Sequence, residues 1–228
     1  MAQAFQVAID GPSGAGKSTI AKMLATALQI DYIDTGAMYR AVGYKMLREG
    51  ISLEQRDALK AMLDKTYIDF RQGETILDGE VISQAIRTPE ISKMASDASA
   101  FPEVREKLVA LQRAMGEEKS VIMDGRDIGT NVFPNAKYKF FLTATVSERA
   151  RRRWLELREK GQGVELADVE ADIVARDHND SARPLNPLKK AEDAIEIDTT
   201  DMDIEQSARY ILNHINRSRD YDNNSSTI

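Results

Sequence analysis

The segment from residue 11 to residue 18 constrains this chain more than any other. It reads Gly-Pro-Ser-Gly-Ala-Gly-Lys-Ser, a complete G-x-x-x-x-G-K-[ST] phosphate-binding loop. An apolar run over residues 5–9 precedes the loop and predicts a buried strand, and apolar residues at helical spacing follow it. Glycines let backbone N–H groups close around a phosphate, and the positive end of the helix dipole adds to the attraction. The chain is therefore predicted to bind a nucleoside triphosphate.

Within this loop, each side chain has an expected task. Lys17 reaches the β- and γ-phosphates and is a predicted catalytic residue, and the Ser18 hydroxyl is a predicted ligand of Mg²⁺. The predicted ATP-binding residues are Gly11, Pro12, Ser13, Gly14, Ala15, Gly16, Lys17, Ser18 and Thr19. ATP is thus expected as a substrate, with Mg²⁺ as its cofactor.

Composition excludes several other kinds of protein. The chain has 228 residues, 42% of them hydrophobic and 30% charged, which is typical of one globular α/β domain. Without cysteine it has neither disulfides nor thiolate metal sites. A net charge of −6 argues against nucleic acid as a partner. The first strand is too short for a signal peptide or a membrane span. We expect a cytoplasmic monomer that does not bind membranes.

Strand and helix patterns alternate along the chain, which predicts an α/β domain with the P-loop NTPase fold. Its five-stranded parallel sheet, flanked by helices, takes its strands from residues 5–9, 30–34, 121–123, 138–142 and 194–197. A β-hairpin over residues 67–71 and 75–77, followed by two helices with proline at their starts, forms an insertion. A capping box of Ser52 and Gln55 predicts a further helix starting there.

These patterns divide the single predicted domain into regions. The predicted core comprises residues 1–35, 106–146 and 186–217. Residues 36–105 form a monophosphate-binding region, residues 147–185 form a helical lid, and the polar residues 218–228 form a disordered tail.

Other proteins with this loop lack the rest of the pattern. A GTPase would need an Asn-Lys-x-Asp segment after a later strand, and the chain has none. An ATPase motor would carry a glutamate beside a strand-terminal aspartate, whereas Asp124 is followed by Gly125, Arg126 and Asp127. A kinase acting on a small substrate fits best.

Two arginines follow strand ends and predict a second anion site. Arg40 lies just beyond the second strand and Arg126 just beyond the third. In an open α/β sheet, ligands bind outside the carboxyl ends of the strands. Planar guanidinium groups bind phosphate oxygens in pairs. We predict that Arg40 and Arg126 hold a phosphate monoester.

Further arginines are predicted on the lid. Arg149 and Arg153 lie four residues apart on a helix and share one face, so we predict that both act in catalysis. Arg151 and Arg152 point elsewhere and are expected to be solvated. Arg176, Asp180 and Arg183 share a face of a second helix. The alternative is that the two helices only form salt bridges with each other.

No general base stands out, and a phosphate acceptor needs none. The second pKa of a phosphate monoester is about 6, so it is already a nucleophilic anion at neutral pH. This favours a nucleoside monophosphate kinase over one that acts on a hydroxyl group.

Four segments closely resemble the bacterial cytidylate kinase family, over residues 5 to about 215. They are the phosphate loop with the preceding Ile9 and Asp10, residues 34–40 (Asp-Thr-Gly-Ala-Met-Tyr-Arg), residues 101–106 (Phe-Pro-Glu-Val-Arg-Glu) and residues 124–130 (Asp-Gly-Arg-Asp-Ile-Gly-Thr). The resemblance implies transfer of the ATP γ-phosphate to CMP or dCMP. Some relatives have serine in place of Thr35, which keeps the hydroxyl.

The same resemblance implies a set of CMP-binding residues. Arg40 and Arg126 would hold the phosphate, with Thr35 and Tyr39 lining the site. The residues implied around cytosine are Ser96, Arg105, Asp127 and Arg183, and those implied at ribose or phosphate are Arg176 and Asp180. Two alternatives stay open: a uridylate or adenylate type of kinase, and a nucleotide-binding module without catalysis.

Overall fold

The structure is a computed structural model that describes residues 4–225, with side chains described as far as residue 219. Its central sheet consists of β1 (Gln6–Asp10), β2 (Asp31–Asp34), β6 (Val121–Gly125), β7 (Tyr138–Thr143) and β8 (Ile195–Asp198). All neighbours in the order β2-β6-β1-β7-β8 are parallel. The predicted five-stranded parallel sheet is confirmed.

Helices cover both faces of this sheet. They are α1 (Lys17–Leu28), α2 (Thr35–Glu49), α3 (Arg56–Asp64), α4 (Pro89–Ala98), α5 (Pro102–Glu118), α6 (Val146–Glu159), α7 (Leu166–Ala182) and α8 (Ile204–Ser225). Successive side chains of β1 point to opposite faces of the sheet, so the hydrophobic core has two parts. Ala8 packs with α2 and α5 on one face, and Val7 and Ile9 pack with α1 and α8 on the other. The fold thus has the three layers expected of an α/β domain.

Parallel strands bring their carboxyl ends to one edge of the sheet. In register, Asp124 of β6 lies beside Ile9 of β1 and Asp34 of β2. Buried apolar residues precede each of these ends, so the polar residues come at the point where the chain leaves the core. Loops from three neighbouring strands therefore meet at the edge where a ligand is expected.

The predicted insertion contains a second, antiparallel sheet. It consists of β3 (Ile68–Arg71), β4 (Glu74–Leu77) and β5 (Glu80–Val81). Gln72-Gly73 and Asp78-Gly79 form its two tight turns, and all four residues have positive φ. That geometry matches the right-handed twist of the flanking strands. The hairpin prediction is confirmed, and so are the helix starts at Pro89 and Pro102.

The helix predicted to start at Ser52 starts later. The Gln55 side chain does accept the Ser52 N–H at 2.8 Å, as in a capping box. The Gln55 N–H, however, donates to the Ser52 carbonyl at 3.2 Å, so the segment closes as a turn. Consequently α3 begins at Arg56.

The C-terminal helix is longer than predicted. Residues 218–228 were expected to be disordered because they are polar, yet α8 continues to Ser225. The stretch contains no proline or glycine, so nothing in it stops a helix that has already nucleated. Residues 226–228 lie outside the described part of the chain.

Among the helices described, none combines the length and the apolar character that a membrane crossing requires.

Candidate active site

The phosphate loop connects β1 to α1 at the carboxyl edge of the sheet. Gly11, Gly14 and Gly16 have φ values of +147°, +76° and +81°. Gly11 also lies against β7: a Cβ atom at this position would be 2.0 Å from the Leu142 carbonyl oxygen. The loop therefore needs glycine for both its conformation and its packing.

Lys17 is buried at the first position of α1. Its Nζ donates to the Pro12 carbonyl at 2.6 Å, so the side chain folds over the loop. Burial, followed by the nearby charge of Arg126, lowers the pKa of the Lys17 amine to about 7, although Asp124 and Asp180 oppose the shift. The Lys17 amine is thus only partly charged near neutral pH, and further negative charge beside it would favour the charged form.

Ser18 and Asp124 bring two oxygen ligands together beside the loop. The Ser18 hydroxyl donates to one Asp124 carboxylate oxygen at 2.8 Å, and the Tyr32 hydroxyl donates to the other at 2.8 Å. Burial and the charge of Asp34 raise the pKa of Asp124. Hydroxyl and carboxylate oxygens are ligands that Mg²⁺ accepts, usually alongside substrate phosphates. Asp124 was not among the predicted site residues, although its place at a strand end next to β1 is a signal that could have found it.

Asp10 holds the loop that follows β6. Its two carboxylate oxygens accept the N–H groups of Ile128 and Gly129 at 2.8 and 2.7 Å. Burial raises the pKa of Asp10 to about 6, against the effect of those two hydrogen bonds. Sequence analysis gave Asp10 no role, because its partners lie 118 and 119 residues away. This carboxylate positions the segment that carries Arg126 and Asp127.

Four predicted arginines share one region of the site. Arg176 has its pKa lowered by burial and, next, by the charges of Arg126, Arg153 and Arg40. Three of the four have carboxylate partners: Arg126 pairs with Asp180 at 2.7 Å, Arg40 with Asp34 at 2.9 Å and Arg153 with Glu156 at 2.7 Å. Positive charges gathered in this way favour an anion between them.

A second group of predicted residues surrounds Asp127. Arg105 donates to Asp127 Oδ2 at 2.5 Å, and Arg183 Nη2 lies 3.8 Å from Oδ1. The Arg105 guanidinium carbon is 5.9 Å from the centre of the Tyr39 ring, and burial raises the pKa of Tyr39 to about 12. Asn131, which was not predicted, also donates to Oδ2 at 3.0 Å. These residues form one polar cluster.

Thr35 and Ser96, two further predicted residues of the site, each take part in a hydrogen bond. The Thr35 hydroxyl is buried and donates to the Asp124 carbonyl at 2.6 Å. Ser96 is half-buried on α4, and its carbonyl accepts the Ser99 hydroxyl at 2.7 Å. Arg183 follows the last residue of α7 in an extended conformation, so it lies just beyond the helix that was expected to contain it.

The two predicted catalytic arginines of α6 have different surroundings. Arg149 is buried and donates to the Ser13 carbonyl at 2.8 Å and to Asp177 at 2.5 Å. Arg153 is half-exposed and pairs with Glu156 at 2.7 Å. Arg149 therefore touches the phosphate loop already, whereas Arg153 is held only by its own helix.

The position of Arg152 on the helix predicts a solvated side chain, but the structure shows this side chain in several hydrogen bonds. Its side chain donates to the Thr199 hydroxyl at 3.1 Å and to the Thr199 carbonyl at 2.5 Å. It thereby connects α6 to the turn after β8. Arg151 is exposed and pairs with Glu148, as expected of a surface residue.

Comparison with known proteins gives a consistent result. The family model for cytidylate kinase matches residues 7–217. A cytidylate kinase from Desulfitobacterium hafniense strain Y51 is 50% identical over 219 residues, which cover 95% of this chain and 94% of that protein. One from Clostridium perfringens strain SM101 is 52% identical over 204 residues, with 90% and 94% covered.

A solved structure supports the fold independently. The crystal structure of a gluconokinase from Sinorhizobium meliloti 1021 matches with a TM-score of 0.51 at 14% identity, and 97% of each chain is covered. At that identity the likeness concerns the fold alone. The matched residues include the phosphate loop, the four neighbouring arginines Arg40, Arg126, Arg153 and Arg176, and the residues around Asp127. The chain belongs to the cytidylate kinase family.

Proposed function

We propose that this chain transfers the γ-phosphate of ATP to CMP or dCMP, giving ADP and CDP or dCDP. One observation carries the proposal: Arg40 Nε, Arg105 Nε and Arg183 Nη2 are buried without a hydrogen-bond partner among the described residues. Leaving a buried donor unpaired is costly, so native proteins rarely do it. An acceptor-rich ligand such as a nucleoside monophosphate would satisfy these donors.

In this proposal the acceptor phosphate binds between Arg40 and Arg126. Among the described residues each of these arginines pairs with one carboxylate, which leaves guanidinium nitrogens for phosphate oxygens. Thr35 and Tyr39 line the same space, and Arg176 adds charge from α7. The base then points to the cluster of Asp127, and Asp180 and Ser96 border the sugar and the base.

The transfer itself needs alignment more than proton removal. An oxygen of the CMP phosphate attacks the γ-phosphorus of ATP. The bond between that phosphorus and the oxygen that bridges to the β-phosphate breaks, and the electron pair of this bond leaves with ADP. Charge spreads over the transferring oxygens in the transition state. Lys17, Arg126, Arg149 and Arg153 are the proposed sources of compensating positive charge.

A divalent cation fits beside the loop. Ser18 and Asp124 are the residues that would hold Mg²⁺, and Tyr32 and Ser18 already orient the carboxylate. When bound there, the ion would neutralise part of the ATP phosphate charge. The proposal takes the enzyme to be a monomer.

A substrate screen tests the proposal. Purified protein is given ATP and Mg²⁺ with CMP, dCMP, UMP or AMP, and ADP formation is measured. We expect CMP or dCMP to give the largest kcat/KM. Higher turnover of UMP or AMP would make the chain a different monophosphate kinase, and ATP binding without turnover of any acceptor would make it a binding module.

Arg153 is expected to act on the transition state more than on CMP binding. Replacing it with alanine should lower kcat by about tenfold or more, because a charge that reaches the phosphates only on closure adds little to ground-state affinity. The measurements are steady-state kinetics and CMP affinity by calorimetry. Arg151→Ala, on the same helix but exposed, is the matched control and should retain activity. A collapse of CMP affinity with unchanged kcat would contradict the prediction.

The lowered pKa of Lys17 predicts a proton uptake on ATP binding. At pH 8 the amine, with a pKa of about 7, is mostly neutral in the free protein, and the ATP phosphates would raise its pKa again. Binding should then take up about one proton at pH 8 and much less at pH 6, where the lysine is already charged. Calorimetry in two buffers of different ionisation enthalpy measures this. Equal uptake by the Lys17→Met variant would assign the proton to another group.

A further inference from the structure

The α7 carboxylate of Asp177 lies at the junction of three elements. Its Oδ1 accepts the backbone N–H of Ser13 at 3.1 Å, and its Oδ2 accepts Nη1 of Arg149 at 2.5 Å. Arg149 Nη1 also donates to the Ser13 carbonyl at 2.8 Å, and its Nε donates to the Ala144 carbonyl at 2.9 Å. The backbone of Ser13, Asp177 and Arg149 thus form a closed ring of hydrogen bonds.

This ring connects the α6–α7 pair to the phosphate loop. Ser13 stands inside the loop, Arg149 in the first turn of α6, and Asp177 in α7. A Cβ atom at Gly14 would lie 3.0 Å from the Arg149 carbonyl oxygen, so α6 already touches the loop backbone. Both the N–H and the C=O of Ser13 are therefore held by side chains of the pair.

Neither partner could hold this geometry alone. The Arg149 side chain is 5% exposed and the Asp177 side chain 19%. A buried guanidinium without its carboxylate is costly and loses its fixed orientation. The Ser13 N–H would likewise lose its acceptor. Within the described part of the chain, Asp177 is the one group that accepts hydrogen bonds from both the Ser13 N–H and the Arg149 guanidinium.

We propose that Asp177 is a positioning residue for ATP, which fixes Arg149 and the phosphate loop in the conformation that receives the polyphosphate. It acts through these two groups and does not touch the reacting atoms. The proposal rests on the proposed kinase function and concerns its ATP side only. Asp180, one turn along α7, pairs with Arg126 at 2.7 Å and serves the acceptor side.

The test compares two variants with a matched control on the same helix. Asp177→Asn keeps the size and one acceptor but removes the charge opposite Arg149, and Asp177→Ala removes both bonds. Asp172→Asn changes an exposed carboxylate of α7 and should leave kinetics unchanged. Each protein is measured for kcat/KM with ATP, ATP and CMP affinity by calorimetry, Tm, and amide hydrogen exchange of the phosphate loop.

We expect Asp177→Asn to lower kcat/KM for ATP and ATP affinity by about tenfold, with CMP affinity within about twofold of the original protein. In Asp177→Ala the phosphate-loop amides should also exchange faster. Equal losses for ATP and CMP, accompanied by a lower Tm, would make Asp177 a merely structural residue. Unchanged or improved ATP use by Asp177→Asn would also overturn the proposal.

The proposed function and this inference about Asp177 can be refuted independently of each other. A parent protein that does not phosphorylate CMP would refute the kinase assignment before any variant is made. ATP affinity and loop exchange still report on Asp177 in that case, because neither measurement needs turnover.

Discussion

Replacing Lys17 with alanine is expected to lower kcat by about a hundredfold or more, which corresponds to ~3 kcal/mol of transition-state stabilisation. Lys17 is the first residue of α1, and its side chain already lies over the phosphate loop, with Nζ 2.6 Å from the Pro12 carbonyl oxygen. Bound phosphates would offer it a stronger partner than this neutral oxygen. Steady-state turnover of CMP at saturating ATP measures the effect.

The fold should survive the substitution. Burial disfavours the charge of Lys17 and lowers its pKa, so its removal relieves a desolvation cost. Lys17→Met keeps most of the volume and is the matched variant for any packing effect. Both variants should have a Tm within a few degrees of that of the original protein. In a domain of this size, such a shift corresponds to a change of about 1 kcal/mol in the free energy of unfolding. A folded variant with near-normal turnover would contradict the role given to the phosphate loop.

The sheet and the phosphate loop were predictable because their signals are local. A short apolar strand that is buried almost throughout, a glycine-rich turn and a helix at 3.6-residue spacing can be recognised within about twenty neighbouring residues. The hairpin of residues 67–71 and 75–77 was predicted in the same way, from two short strand patterns around a glycine. Even the capping-box error at Ser52 was local, since the same residues can close either a helix start or a turn.

The partners of the site residues were not predictable. Ser18 meets Asp124 across 106 residues, and Asp177 meets Ser13 across 164. Such pairs depend on the sheet order and on how α7 docks, which no short pattern specifies. Sequence analysis therefore singled out the arginines of the candidate site, whereas most of the carboxylates that pair with them had to come from the structure.

The cluster around Asp127 is the proposed reader of the base. Cytosine has an amino donor beside the N3 and O2 acceptors, whereas uracil has an O4 acceptor and an N3–H donor. Arg105 and Asn131 both bond to Asp127 Oδ2, and no hydrogen bond to Oδ1 occurs among the described residues. Oδ1 is thus available for the cytosine amino group, and Arg183 lies on the same side at 3.8 Å.

We expect the intact protein to prefer CMP over UMP by about two to four orders of magnitude in kcat/KM. With UMP the Asp127 carboxylate would face a carbonyl oxygen and an arginine would face an N–H group, and each buried mismatch costs about 1–3 kcal/mol. Asp127→Ala should weaken CMP use and narrow the ratio, because it removes the acceptor for cytosine and the repulsion of uracil together.

Asp127→Asn is the variant that separates base reading from packing. It keeps the shape beside Arg105 and Asn131 and offers an amide that can donate to the uracil O4, so UMP use should rise while CMP use falls. The measurement is kcat/KM for CMP and UMP in the parent and both variants, with Tm as the folding control. An unchanged ratio would move Asp127 to a purely structural role, since its buried bond to Arg105 would then be its main contribution. A parent ratio near one would overturn the cytidylate preference itself, because the donor and acceptor pattern of this pocket predicts that uracil is refused.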